Sequence, residues 1–136
     1  NALVEKDFMV IASGGGGIPV AAKPDGSHIG IEAVIDKDRA GFKLAQAVSA
    51  DHFLILTDVE KVCLNYNKPD QKQLDTLTVA EAEGYLKAGH FLKGSMGPKV
   101  EAAVRFVQWS GRFAVITSLN HALAAIQGKT GTRIVP

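Results

Sequence analysis

The sequence predicts an α/β protein of three layers, α/β/α, with a mostly parallel central sheet. Short apolar runs point to it first: FMVIAS at 8–13, HFLILT at 52–57 and RFAVITS at 112–118 are rich in β-branched and aromatic residues and lack polar alternation. A sheet covered on both faces uses strands of that kind. The second observation is that segments with helical spacing alternate with these runs, which argues βα units and parallel pairing. A chain of 136 residues fits one domain, spanning 1–136, and is long enough to bury a sizeable core.

In chain order, the run at 8–13 reads as a first central strand ending in four glycines. Residues 18–20 and IGIEAVI at 29–35 then flank the turn signal KPDGS, which predicts a hairpin at the edge of the fold. From about 37 to 49 a helix is expected, with Ala40, Leu44, Ala47 and Val48 inward and Lys43 and Gln46 outward. The second central strand follows at 52–57. LNYNKPDQKQ at 64–73 is too polar for a core and reads as a surface loop or short edge structure. Thr78 opens a capping box closed by Glu81, so the next helix presents Val79, Ala82, Tyr85 and Leu86. Pro98 suits the first turn of another helix, whose face is Val100, Ala103, Val104 and Val107 and whose stop is Gly111. The third central strand at 112–118 passes into a short helix with Leu119, Ala122, Leu123 and Ile126, and TRIV at 132–135 adds a last strand.

Composition excludes several classes of function. Fifteen basic against fourteen acidic side chains leave a formal charge of +1, so bulk charge draws the chain neither to nucleic acid nor to an anionic membrane. No stretch has the length of a membrane span and no secretory leader opens the sequence, so a cytoplasmic, reducing setting is the expectation. Cys63 stands alone, which rules out an internal disulfide and a multi-cysteine metal site and reads as a buried thiol. The four histidines show no ligand spacing, and no metal site is expected.

In a parallel sheet, ligands sit where strands end and helices begin, which singles out the loops at 13–17, 57–62 and 117–119. Ser13, Gly14, Gly15, Gly16 and Gly17 free the backbone N–H groups to curve round an anion, though a sharp turn after a buried strand uses the same residues. The stretch is neither GxGxxG nor GxxxxGK followed by Ser or Thr, so the usual dinucleotide and Walker-type loops are absent. Lys37 between Asp36 and Asp38 offers a cation to phosphoryl oxygens; an ordinary acidic first turn of a helix looks alike. Thr57 and Asp58 stand at a strand end, where they can meet a phosphate or sugar, or simply close the turn. In GSMGPK, at 94–99, Lys99 opposes the helix dipole, as it would if an anion shared the helix start; a solvated lysine tolerating a small penalty is the plain alternative.

SGGGGIPV (13–20), EAVIDKDRAG (32–41), ILTDVEKV (55–62), GSMGPKVEAA (94–103) and GKTGTRI (128–134), kept in this order, resemble the carboxyl-terminal half of the carbamate kinases, within the amino-acid kinase fold. The resemblance implies reversible phosphoryl transfer between ATP and carbamate with Mg2+, run toward ATP from ADP and carbamoyl phosphate in arginine catabolism by the arginine deiminase pathway. It implies that Ser13 to Gly17 lie near the carbamate, that Lys37 steadies the transferring oxygens, that Asp38 organises the catalytic lysines and that Lys99 meets the nucleotide phosphates. It also gives Thr57, Asp58, Val59, Val62, Tyr66, Met96, Gly97 and Pro98 to the nucleotide pocket. Family members are about twice this length, so a remaining amino-terminal half is an implied partner, as is a homodimer. The alternatives are another phosphotransferase of the same fold and a non-catalytic nucleotide-binding or assembly domain.

Overall fold

The computed structural model describes residues 1–136. Turn chemistry shapes its first element, a hairpin in which β1 (Val20–Ala22) pairs antiparallel with β2 (His28–Gly30). Asp25 accepts hydrogen bonds from the Ser27 hydroxyl and backbone N–H, which close the turn and hold the Asp25 carboxyl below its ordinary value. The hairpin stops at Gly30, short of the expected 35. Helix α1 (Lys37–Ala47) then starts at Asp36, whose side chain accepts from the N–H groups of Asp38 and Arg39.

The main sheet has four strands in the order β3 (Phe53–Thr57), β7 (Ala114–Ser118), β8 (Thr132–Val135), β6 (Thr76–Thr78). β3 pairs parallel with β7 and β6 parallel with β8, whereas β7 and β8 run antiparallel, so the sheet is mixed and mostly parallel. The polar stretch after β3 forms a small ladder of β4 (Cys63–Leu64) and β5 (Lys72–Gln73). α2 (Val79–Lys87) carries the expected capping box between Thr78 and Glu81. α3 (Met96–Ser110) runs to Gly111, which takes a left-handed φ of 68° while its N–H returns to the Val107 carbonyl. A short 3-10 turn (Leu119–His121) leads into α4 (Ala122–Ile126).

Side-chain alternation separates the two faces of the sheet. Ala114, Ile116, Ile134 and Ile55 join one core with Val100, Ala103, Phe106 and Val107 of α3 and Phe42 of α1. Val115 and Thr117 point the other way, toward α4 and the 128–131 turn. Helices thus lie on both faces, α4 on the thinner side.

Three expectations need correction. Residues 8–13 form no strand: no element of these 136 residues pairs with them, and Met9 and Ile11 are 95% and 97% exposed. β3 is an edge strand rather than a central one, and Leu56 faces outward on it. α1 buries Phe42 and Ala45 instead of the Ala40, Leu44, Ala47 and Val48 stripe, because α3 packs against its other side. The last strand forms at the expected 132–135 as β8 and sits inside the sheet, paired with β6, a three-residue strand too short for local patterning to reveal.

Candidate active site

Connectivity brings the helix starts together. α1 and α3 each return through a short turn to the amino end of the strand they pack against, β3 and β7, and therefore run antiparallel to it. Their amino termini arrive where β3 and β7 end. The register places Thr57 beside Ser118, so the loops after both strands leave from that same end.

Lys99, in the first turn of α3, donates to Asp38 Oδ2 at 2.9 Å, and Lys37 Nζ lies 3.9 Å from the same oxygen. One carboxylate thus holds both lysines, which separate in environment: the Lys99 side chain is 10% exposed and that of Lys37 62%. A second tie aligns the two helices, Arg39 to Glu101 at 2.7 Å. Burial pushes the Glu101 carboxyl up, but the hydrogen bond and charge of Arg39, joined by Arg105, outweigh it and hold the group below its ordinary value.

The glycine loop reaches the same region. Ser13, Gly14, Gly16 and Gly17 all have positive φ, and a Cβ on Gly16 would stand 2.3 Å from the Ile35 carbonyl oxygen. Only a glycine lets the loop press against the residue that precedes the Asp36 cap. The 13–17 loop and the Lys37–Asp38–Lys99 cluster are thereby joined across the start of α1.

Beside this cluster lies a cleft of about 80 Å³, in which the expected Asp58, Val59, Tyr66 and Met96 all take part. Asp58 accepts from the Thr57 hydroxyl at 3.0 Å, so Thr57 serves the loop rather than the cleft wall. Val62 is fully buried, and its side chain lies in the core instead of the cleft. Gly97 and Pro98 border a neighbouring groove next to Arg39 and Glu101.

Of six further lining residues, Lys61 falls within the expected loop at 57–62, and the other five escaped sequence reading. Phe91, Leu92 and Ser95 precede α3, His90 stacks edge-on against Tyr85, and Lys61 is held by Asp75 at 2.6 Å, whose hydrogen bond raises the ammonium above its ordinary value. Cys63 is the sixth, with a thiol pushed up by burial. An apolar pair separated from GSMG only by Lys93 was the available signal for Phe91 and Leu92. Met96 in the cleft and Lys99 on Asp38 share the first turn of α3, so cleft and cations are continuous. A largely apolar cleft next to paired cations suits an aromatic base carrying phosphates.

No group of three or more His, Cys, Asp or Glu side chains is gathered as a metal site in these residues.

A family model described as the amino acid kinase family matches residues 1–118, and this chain belongs to that family. Its curated relatives include the carbamate kinase of Thermococcus kodakarensis, 61% identical over 133 residues, and that of Pyrococcus furiosus, 52% identical over 134. Each match takes in 98% of this chain and 42% of the relative. The structure of carbamate kinase from Giardia lamblia bound to AMP-PNP superposes with a TM-score of 0.93 at 45% identity, over 98% of this chain and 47% of that one. The chain therefore spans less than half the length of the relatives it matches.

Proposed function

We propose that these residues form the nucleotide-binding part of a carbamate kinase, which moves a phosphoryl group reversibly between ATP and carbamate. Run toward ATP, the terminal phosphate oxygen of ADP bonds to the phosphorus of carbamoyl phosphate as the bond from phosphorus to the carbamate oxygen breaks. Such a transfer asks for positioned charge and little covalent help from the protein. The observation that carries the reading is the sharing of Asp38 by Lys37 and Lys99, one turn of α3 away from the Met96 that lines a largely apolar cleft. Two ammonium groups and one carboxylate leave a net positive charge where a phosphate chain leaving the cleft would pass. Lys99, held and shielded, suits a fixed contact to nucleotide phosphates. Lys37, exposed and free to swing, suits the transferring group, with the backbone of Ser13 to Gly17 beside it.

The magnesium that accompanies the nucleotide would neutralise phosphate charge, while Asp38 keeps both lysines aimed. The remaining segment of the longer protein, a homodimeric assembly, a cytoplasmic location and a role in arginine breakdown complete the proposal on the strength of the family resemblance. The test is ATP formation from ADP and carbamoyl phosphate. The expected outcome is turnover by the intact parent protein and none by the 136-residue segment; a parent that binds ADP but ignores carbamoyl phosphate refutes the reading.

A further inference from the structure

The loop 58–62 supplies Asp58, Val59 and Lys61 to the cleft, and what fixes it is a stretch the proposed reaction does not use. Three hydroxyl contacts from the segment before and into β8 reach the loop and its neighbours. The Thr130 hydroxyl donates to the Glu60 carboxylate. The Val62 N–H donates to Thr132 Oγ1 at 2.8 Å, and the Thr132 hydroxyl in turn donates to the Leu74 carbonyl at 2.5 Å. Leu74 N–H closes the ring by donating to the Val62 carbonyl at 2.9 Å.

The anchor itself is closely packed. Gly131 has φ +87°, and a Cβ there would meet Val115 Cγ1 at 3.0 Å and the Ile116 carbonyl oxygen at 3.1 Å, so the turn is seated on β7 without slack. Thr132, like Val62, is fully buried, so water cannot replace the hydroxyl that serves both backbone groups. A single side chain that accepts and donates at once transmits the position of β8 to the residue between Lys61 and Cys63, both of which line the cleft.

We propose that Thr132, assisted by Thr130, is a positioning residue for nucleotide binding: through Val62 and Glu60 it sets the height of the 58–62 loop over the cleft. The inference rests on the cleft being the nucleotide site. It requires no contact between either threonine and the ligand.

The experiment uses the intact parent protein and compares Thr132→Val, Thr132→Ser and Thr130→Val with the unaltered sequence. ADP dissociation constants come from calorimetric titration, KM values for ADP and carbamoyl phosphate from ATP formation, and protection of the Val62 amide from hydrogen exchange. Thr132→Val keeps the shape and removes both hydrogen bonds. The expected result is ADP binding weakened by about tenfold, with the KM for carbamoyl phosphate unchanged and the Val62 amide deprotected. Thr132→Ser restores all three, and Thr130→Val gives a smaller loss confined to ADP. Unchanged ADP affinity in a folded Thr132→Val protein overturns the inference, as does an equal loss for both substrates that serine fails to rescue. Should Thr132→Val not fold, Thr130→Val decides, since it removes only the exposed contact to Glu60, and unchanged ADP affinity there overturns the inference. Unaltered protein that binds ADP without making ATP overturns the proposed reaction and leaves this inference standing on the titrations; failure to bind ADP at all overturns both.

Discussion

The Asp38 carboxylate divides labour between two lysines by the company each keeps. Lys99 is shielded and hydrogen-bonded, whereas Lys37 is largely exposed and stands farther from the shared oxygen. If Lys37 follows the migrating phosphoryl group, Lys37→Ala lowers kcat of the intact protein by about two to three orders of magnitude and leaves ADP affinity nearly unchanged. Steady-state kinetics beside ADP titration checks this, and equal losses in both would remove Lys37 from the transition state. Lys99→Ala, by contrast, weakens ADP binding as well. The glycine loop offers a second prediction of single-residue sharpness. Gly16→Ala forces a Cβ into the Ile35 carbonyl at a φ of +139°, so unfolding in urea is expected to show a loss of about 2 kcal/mol. A Cβ on Gly15 meets nothing within 4 Å, and Gly15→Ala serves as a near-neutral control. Matching stabilities for the two variants would show that the loop does not rest against the start of α1.

Elements divide into those whose causes are local and those whose causes are not. α2 and α3 were legible because cap, period and stop lie within one stretch: Thr78 with Glu81, and Pro98 through Gly111. That Lys37, Asp38 and Lys99 stand at helix starts was legible for the same reason, since each start is marked by its own neighbours. Strand partners were not legible, because pairing joins residues far apart: residues 8–13 look like a strand but find no ladder, while β6 gains one only from β8. Phe91 and Thr132 likewise take their roles from packing across the chain, Thr132 from a backbone 70 residues away. The capping box gives the element-scale prediction. Glu81 accepts from the backbone N–H and hydroxyl of Thr78, which holds its carboxyl below the ordinary value of 4.5. A carboxyl depressed in the folded state stabilises above its unfolded pKa and loses that contribution as pH falls through the folded value. Thr78→Ala is therefore expected to cost about 1 kcal/mol at neutral pH. The gap from the unaltered protein should narrow in melts below about pH 4, and a gap independent of pH would show that Glu81 does not take part in the cap.

At the scale of the molecule, the apolar surface is placed where a single chain of this length cannot use it. Phe8, Met9 and Ile11 project from the amino-terminal stretch, Leu119, Leu123 and Ile126 form an outward stripe at α4, and β3 leaves one edge of the sheet unpaired. Scattered exposed apolar residues are ordinary, but an apolar run together with an open strand edge marks a surface that pairs with something. The relatives are more than twice as long as this chain, so the missing cover is expected to come from the same polypeptide. A charge placed at Ile11 separates the two situations. On a surface that stays in water, Ile11→Lys changes stability by no more than about 0.5 kcal/mol. Beneath another layer of the intact protein, the same change buries an ammonium in place of a hydrocarbon and is expected to cost about 3 kcal/mol or to block folding. Urea unfolding of the intact protein reads the difference directly. A near-neutral Ile11→Lys would mean that the stretch at 8–13 remains solvated in the intact protein, and that the glycine loop following it is held by its contact with Ile35 and its own backbone hydrogen bond rather than by a covering layer.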